Sequence, residues 1–410
     1  MCVTASKGWL KFRAPMTDRF DSIPPSPFRC LADLIGDQQP GREPIVMTVG
    51  EPGHPVPEFV IDVIKQHQAD FRKYPPGNGT PMVRDAIAGW LNRRFDLNGA
   101  VDPDCHVLPL CGTREGLFSF PLIIVPVDSG NPKPRVIIPN PFYHSYAGAA
   151  VAAGAEPYFA SAGKETGFLP DLDDIPEDVL KNAVCFYLCT PANPQGTIAD
   201  SDYLKKAILM ARENNFVLLV DECYSEIYDR VQPTGGLKAA LELGEGFDNV
   251  IVFNSLSKRS NLAGLRVGMC AGDEALLERY LKYRNLGAPQ VPLPHLAAAA
   301  VTWADEAHVD ANRRLYQRKI DIAEEILGDR FGFYRPPGGF FLWLDVSEFG
   351  GSIKATLKFW REAGVKVLPG SYLSREDENG LNPGEDYIRI ALVQSESTTK
   401  EALTRLNELS

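Results

Sequence analysis

The sequence lacks most of the features that would set it apart from ordinary globular enzymes. Its eight cysteines, at 2, 30, 105, 111, 185, 189, 223 and 270, form no C-x-x-C pair and no Cys/His spacing suited to zinc. Most lie in apolar stretches such as Ala183–Cys189, where they are expected to pack as small reduced hydrophobes in a reducing cytoplasm. Basic charge is in deficit: 42 Lys and Arg stand against 53 Asp and Glu, a net charge of -11. Nucleic acid is therefore not an expected partner, because binding it needs a basic face. No apolar run approaches 18 residues, so no membrane span is expected. Residues 1–7, Met-Cys-Val-Thr-Ala-Ser-Lys, are followed by Asp18, Arg19 and Asp21 with no apolar core between, so a signal peptide is not expected. There is no internal repeat, no low-complexity tract, no G-x-G-x-x-G after the first strand and no P-loop, which disfavours a nucleotide cofactor.

What is present is an α/β pattern. A chain of 410 residues exceeds one ordinary core and predicts a large and a smaller domain. Helical and strand-like segments alternate from about 55 to 285. Arg135–Ile138, stopped by Pro139, Phe216–Val220, ending at Asp221, and Val250–Phe253, ending near Ser255, are short apolar runs of the kind buried on both faces of a parallel sheet. In open α/β sheets ligands sit beyond the carboxyl ends of such strands, so the residues that follow them matter most. Residues 1–49 read as Pro-rich and irregular. Beyond about 290 the pattern changes to a charged helix (Asp305 to Leu327) and two strands, Gly338–Leu344 and Tyr387–Leu392. A large domain over 50–290 and a smaller α+β domain from 1–49 and 291–410 is the expected division.

Six strings carry candidate chemistry. Ser255-Leu256-Ser257-Lys258 places a lysine just past a strand, with Arg259 and Arg266 close in sequence. A lysine that attacks a carbonyl as a Schiff-base amine needs partial desolvation and neighbouring cations. Ser255, Ser257 and Arg266 suit a phosphate. Asp221, at a strand end, needs a cationic partner if buried, and a protonated ring nitrogen would serve, with Tyr224 three residues on. Asn193, in Pro191–Gly196, offers an amide donor past a third strand. Gly112-Thr113-Arg114 opens a helix whose first amides can hold an anion. Tyr143 follows a strand and can stack on a flat ring. Arg389 sits in an apolar strand, where an anion would be expected to meet it. Each string alone has an ordinary alternative: a solvated loop, an N-cap, a turn, a helix start, core packing or an internal salt bridge.

Taken in order, Tyr74, Gly112-Thr113-Arg114, Asn193-Pro194, Asp221…Tyr224, Ser255-x-Ser257-Lys258 and Arg389 resemble the class I/II aminotransferases of pyridoxal-phosphate (PLP) fold type I, from about residue 20 to 407. The resemblance implies a mostly parallel seven-stranded sheet flanked by helices, plus a smaller α+β domain. It implies PLP held by Lys258, which also moves the proton in a ping-pong transamination. Asp221 would pair with the ring nitrogen, Asn193 and Tyr224 with the phenolic oxygen, and Tyr143 would stack on the ring. Gly112, Thr113, Arg114, Ser255, Ser257 and Arg266 would surround the phosphate, Arg114 through its backbone only. Arg389 would grip the substrate carboxylate, Gly50 would let backbone approach the substrate, and Tyr74 would reach a neighbouring subunit's phosphate in a homodimer with shared active sites.

Narrower strings, Asp221–Tyr228, Ser255–Asn261, Val367–Ser371 and 382–393, are similar to proteobacterial succinyldiaminopimelate aminotransferases. That implies exchange between N-succinyl-LL-2,6-diaminopimelate and 2-oxoglutarate, in lysine and diaminopimelate biosynthesis. Gln195, Ala192 and the Arg284–Ala288 stretch depart from the pattern, and the last is expected to line the substrate pocket. Phe28 and Arg29 are further pocket candidates. Another aminotransferase, such as an aromatic one, or a carbon–sulfur lyase would use the same constellation.

Overall fold

The computed structural model describes residues 20, 21, 23, 25–127, 132–377 and 380–409. The N-terminal reading over 1–7, with Asp18, Arg19 and Cys2, lies outside the described residues. Twelve strands are described: β1 (Ile45–Val46), β2 (Val107–Leu110), β3 (Arg135–Asn140), β4 (Glu156–Ser161), β5 (Ala183–Cys189), β6 (Val217–Asp221), β7 (Val250–Ser255), β8 (Gly268–Gly272), β9 (Phe341–Asp345), β10 (Val365–Lys366), β11 (Leu368–Pro369) and β12 (Tyr387–Ala391). Seven form one sheet in the order β2-β8-β7-β6-β5-β3-β4, with β8 antiparallel to both neighbours and the other pairs parallel. The expected mostly parallel seven-stranded sheet flanked by helices is what the chain forms.

Alternation explains why its strands are apolar throughout. Leu218 and Val220 of β6, with Val250 and Val252 of β7, enter one core. Val217 and Leu219, with Ile251 and Phe253, enter the core on the opposite face. Both faces are covered, so no position can be polar until the strand ends. Prolines fall where the ladder permits them. Pro109 is on the edge strand β2. Pro139 does not stop β3, as the sequence suggests: pairing with β4 continues to Asn140, while pairing with β5 ends at Ile137.

A three-stranded sheet, β11-β12-β9, and the β1–β10 pair build a second core around Phe340, Leu342, Ile388 and Ile390. The N-terminal segment is less irregular than its prolines suggest. Ser26 accepts a hydrogen bond from the Arg29 amide (3.3 Å), Pro27 takes the first helical turn, and Leu31 and Ile35 bury one face of the Pro27–Ile35 helix. The charged helix runs from Ala307 to Leu327 and is preceded by a second helix, Leu293–Ala304. Leu296, Ala299 and Trp303 of that earlier helix pack in the large sheet's core. We therefore propose that the larger unit, drawn from sequence over 50–290, extends through Ala304, and that the smaller resumes at Ala307.

A buried ion cluster ties the two units. Arg94, at the end of the Pro81–Arg94 helix, donates to Glu226 Oε1 (2.6 Å), and Arg313 of the Ala307–Leu327 helix reaches Glu226 Oε2 (3.4 Å). Glu226 is only 3% exposed. Removing one partner of such a cluster strands the others in low dielectric. Glu226→Ala should lower unfolding free energy by about 3–5 kcal/mol, measured by urea denaturation; a loss below ~1 kcal/mol would refute the coupling.

Candidate active site

Beyond the carboxyl ends of β2, β3, β5, β6 and β7 lies a cavity of about 450 Å³. Lys258 enters it from a short helix, Leu256–Arg259. Ser255 ends β7 and caps that helix, its hydroxyl accepting from the Ser257 amide (3.1 Å). Lys258 Nζ donates to the carbonyl of Gly50. Burial lowers its pKa to about 8, and the charge of Arg389 adds to that shift. Arg259, which sequence proximity suggests as the nearby cation, is turned away. It is fully buried and donates to the carbonyls of Thr302 (2.9 Å) and Asp305 (3.1 Å) and to Glu306 Oε1 (2.7 Å), closing the end of the Leu293–Ala304 helix.

Asp221 is the last residue of β6 and is 5% exposed. Burial raises its pKa, while hydrogen bonds from Cys223 and Tyr146 oppose the rise. The Tyr146 hydroxyl donates to Oδ2 (2.7 Å) and the Cys223 amide to Oδ1 (3.2 Å). Among the described residues no lysine or arginine pairs with it, so the carboxylate is held ready for a cation from outside. Tyr146 was not singled out from sequence. Its signal was present: it lies three residues past Tyr143, one turn into the His144–Ala153 helix, and stacks on Tyr187 (4.3 Å between rings).

An anion cradle lines the same cavity as Asp221. Gly112 has φ +77, and a Cβ there would stand 2.0 Å from Arg266 Nη2. The amides of Thr113 and Arg114 are the first of the Thr113–Ser119 helix and have no intrahelical acceptor. Ser255 and Ser257 hydroxyls bond one another (2.9 Å), and Arg266 is steadied by the carbonyls of Ala263 (2.8 Å) and Cys111 (3.3 Å). Arg114 does more than the sequence reading allowed: its Nε donates to the Tyr143 hydroxyl (2.6 Å), which brings the side chain to the cavity.

The far side belongs to Arg389 of β12. It is 5% exposed, and no carboxylate pairs with it among the described residues. Its Nη1 donates to Asn193 Oδ1 (2.8 Å) and Nη2 to the Thr48 carbonyl (2.9 Å), while Nε is buried with no partner. Burial lowers its pKa to about 10. An internal salt bridge therefore does not account for this arginine. Since the Asn193 oxygen is occupied, its amide nitrogen is left as a donor. Tyr224 is buried beside it, with its hydroxyl pKa pushed far up by desolvation. At Gly50 a Cβ would come 2.6 Å from the Phe341 ring, so any larger residue here would have to displace that ring.

Phe28 lines the cavity, whereas Arg29 is exposed and pairs with Asp33 (3.0 Å). Tyr74 is fully exposed and lies apart from the cavity of its own chain. The Arg284–Ala288 stretch does not line the pocket either. Arg284 is buried behind the cradle, donating to Glu115 Oε1 (2.7 Å) and the Gly77 carbonyl (2.6 Å), and Glu115 in turn accepts from the Cys111 amide (2.5 Å). Its role is to brace the loop before Gly112. His144, also missed from sequence, lines the cavity with its imidazole pKa lowered to about 4, first by burial and then by Arg114 and Arg389.

The model of the family "Aminotransferase class I and II" matches residues 42–406. The LL-diaminopimelate aminotransferase of Aquifex aeolicus is 33% identical over 402 residues, covering 96% of this chain and 98% of that protein. That of Syntrophobacter fumaroxidans is 32% identical over 407 residues, with the same coverage. A solved aminotransferase from Neisseria meningitidis superposes with a TM-score of 0.90 at 38% identity, covering 95% of this chain and 99% of that one.

The cradle makes a direct prediction. Gly112→Ala must displace the Arg266 guanidinium and so remove a charged donor from the cradle. Affinity for pyridoxal phosphate, measured by calorimetry on the apoprotein, should fall by ~10-fold or more, the scale of a lost charge-assisted hydrogen bond. Unchanged affinity would show that no phosphate binds there.

Proposed function

This chain belongs to the class I and II aminotransferases, whose cofactor is pyridoxal phosphate, and we propose that it exchanges an amino group between N-succinyl-LL-2,6-diaminopimelate and 2-oxoglutarate. The observation that carries the chemistry is the presence, in one cavity, of the partly buried Lys258 amine and an Arg389 guanidinium that has no ionic partner among the described residues. Such a pair suits an α-amino acid, with its carboxylate on Arg389 and its α-carbon beside Lys258.

The residues present fit the cofactor. Gly112 leaves room for the Arg266 guanidinium beside the free amides of Thr113 and Arg114, a donor set that suits a phosphate, and Asp221 is a buried carboxylate with no lysine or arginine paired to it among the described residues. Lys258 would hold the cofactor covalently. Asp221 would hold its ring nitrogen, Asn193 and Tyr224 its phenolic oxygen, and Tyr143 its ring face. Gly112, Thr113, Arg114, Ser255, Ser257 and Arg266 would hold its phosphate. When bound, pyridoxal phosphate supplies a sink for the electron pair left by the α-proton. The protein's own part is to fix the carboxylate on Arg389, to keep Asp221 ionised through Tyr146 and Cys223, and to accept the α-proton at Lys258 Nζ. An amine with a pKa of about 8 is neutral far more often at neutral pH than an ordinary lysine.

The succinyl substrate rests on the narrow similarity of residues 221–228, 255–261, 367–371 and 382–393. Free LL-diaminopimelate is the second reading. It is favoured by the activity named for the Aquifex and Syntrophobacter relatives and by Glu51, a carboxylate at the cavity that suits a distal ammonium. We further propose a homodimer with shared active sites, in which Tyr74 reaches the partner's phosphate. The exposure of Tyr74 together with Phe71, Ile61 and Val56 supports this. Among the described residues no helix is long and apolar enough to cross a membrane. The described cysteines are free, which supports the cytoplasm as its compartment.

Half-reactions on the purified, cofactor-loaded protein test the substrate. Conversion of the yellow form by glutamate and the succinyl compound, without conversion by phenylalanine, is expected. Conversion by free LL-diaminopimelate alone would favour the second reading, and pyruvate released from cystathionine would mean a lyase. Lys258→Ala should abolish the yellow absorbance and nearly all turnover, and retained activity would sink the assignment. The lowered lysine pKa gives a pH test on the apoprotein. Since only the neutral amine attacks, cofactor capture should speed up about tenfold per pH unit below about 8 and level off above it. A rate still climbing at pH 10 would mean the amine is not desolvated.

A further inference from the structure

A chain of buried and half-buried polar groups connects the strand that carries Arg389 with the turn that carries Lys258. Lys319 Nζ donates to the carbonyl of Leu392 (3.0 Å), one residue past β12, and to His54 Nε2 (2.7 Å). His54 Nδ1 contacts Asn312 Oδ1 (2.7 Å). Asn312 Nδ2 donates to the carbonyls of Lys258 (3.3 Å) and Arg259 (3.5 Å). These directions fix the tautomer: an amide that donates to two carbonyls presents its oxygen to His54, so Nδ1 carries the proton and Nε2 accepts from Lys319.

The chain closes a ring around the reactive lysine. His54 lies four residues after Gly50, whose carbonyl accepts from Lys258 Nζ. Lys258 is therefore held twice, at its amine by Gly50 and at its backbone by Asn312, and His54 joins the two holds. Asn312 and Lys319 are seven residues apart on the Ala307–Leu327 helix and share a face. Packing alone does not explain them. Lys319 is 1% exposed, and among the described residues no carboxylate lies within ion-pair distance of it. An unpaired ammonium buried in this way opposes folding.

We propose that Asn312, His54 and Lys319 are positioning residues that fix the separation between the Lys258 amine and the Arg389 guanidinium. The proposal rests on the reading of Lys258 as the cofactor-bearing lysine. A substrate anchored by its carboxylate on Arg389 presents its α-proton to Lys258 only if the two elements keep their spacing, and loss of reacting geometry is costly in rate. Arg389 keeps its own bonds to Asn193 and Thr48 when the chain is cut, so carboxylate binding persists while proton transfer slows.

Asn312→Asp retains the shape and the acceptor for His54 but has no N–H for the Lys258 and Arg259 carbonyls. In the apoprotein, pyridoxal phosphate captured at Lys258 is trapped with borohydride and counted by mass spectrometry. In the loaded protein, the half-reaction with glutamate and with α-deuterated glutamate gives the limiting rate, the apparent Kd and the isotope effect. Capture and limiting rate should fall by ~10-fold or more, with Kd within about twofold and a larger isotope effect. His54→Leu should give the same split, and His54→Asn, whose amide can still donate to Asn312, should recover most of the rate. Folded variants with wild-type capture, rate and isotope effect would overturn the proposal. If Asn312→Asp does not fold, the His54→Leu and His54→Asn pair decides: equal rates refute the relay. Wild-type apoprotein that captures nothing at Lys258 would overturn the cofactor reading and the relay together; wild-type capture with unaltered variants overturns the relay alone.

Discussion

Asp221 and Arg389 are buried, and Lys258 partly buried, in one cavity, and among the described residues none of them forms an ion pair. Removing a charge from water costs several kcal/mol unless something of opposite sign replaces the hydration. The chain meets that cost only partly, with neutral hydrogen bonds: Gly50 for the lysine, Tyr146 and Cys223 for the aspartate, Asn193 and Thr48 for the arginine. Each group is left in a state that a ligand of complementary charge relieves. A ring cation for Asp221, a carboxylate for Arg389 and a carbonyl for Lys258 are the three complements, and an amino acid with pyridoxal phosphate supplies all of them.

The rest of the fold can be read as support for those unpaired groups. The sheet is apolar on both faces until its strands end, so the polar residues concentrate at one edge. Behind that edge lie ions that do have partners of opposite charge. Arg284 and Glu115 brace the loop that leads to Gly112. Arg259, next to Lys258 in the chain, closes the end of the Leu293–Ala304 helix. Glu226 binds Arg94 of one unit and Arg313 of the other. These paired ions are structural, whereas Lys258, Asp221 and Arg389, without an ionic partner among the described residues, face the cavity.

Both units meet at the lysine turn. Its backbone is held by Asn312, and its neighbour Ser260 bonds His308 (2.8 Å), so the start of the long Ala307–Leu327 helix is fastened to the reactive residue. Any shift of the smaller unit therefore bears on Lys258. The same helix reaches Leu392 through Lys319, which places the strand of Arg389 under the same control.

The sequence by itself determined the sheet and the residues at its edge. An apolar run that ends abruptly in Asp221 or Ser255 is legible because burial on both faces excludes polar side chains until the strand stops. Lys258, Asn193 and the Gly112 cradle follow from that rule and from family resemblance. Only the tertiary structure decided which ions are paired. Arg259 and Arg266 are equally basic in the string, yet one closes a helix end and the other faces the cavity. Arg284 looked like a pocket residue and instead braces a loop. His54, Asn312 and Lys319 carry no local signal, because their partners stand 53 to 265 residues away and the bonds exist only once the two cores are packed together. Local pattern reports burial, which is a property of single positions. Pairing is a property of two, and folding alone sets it.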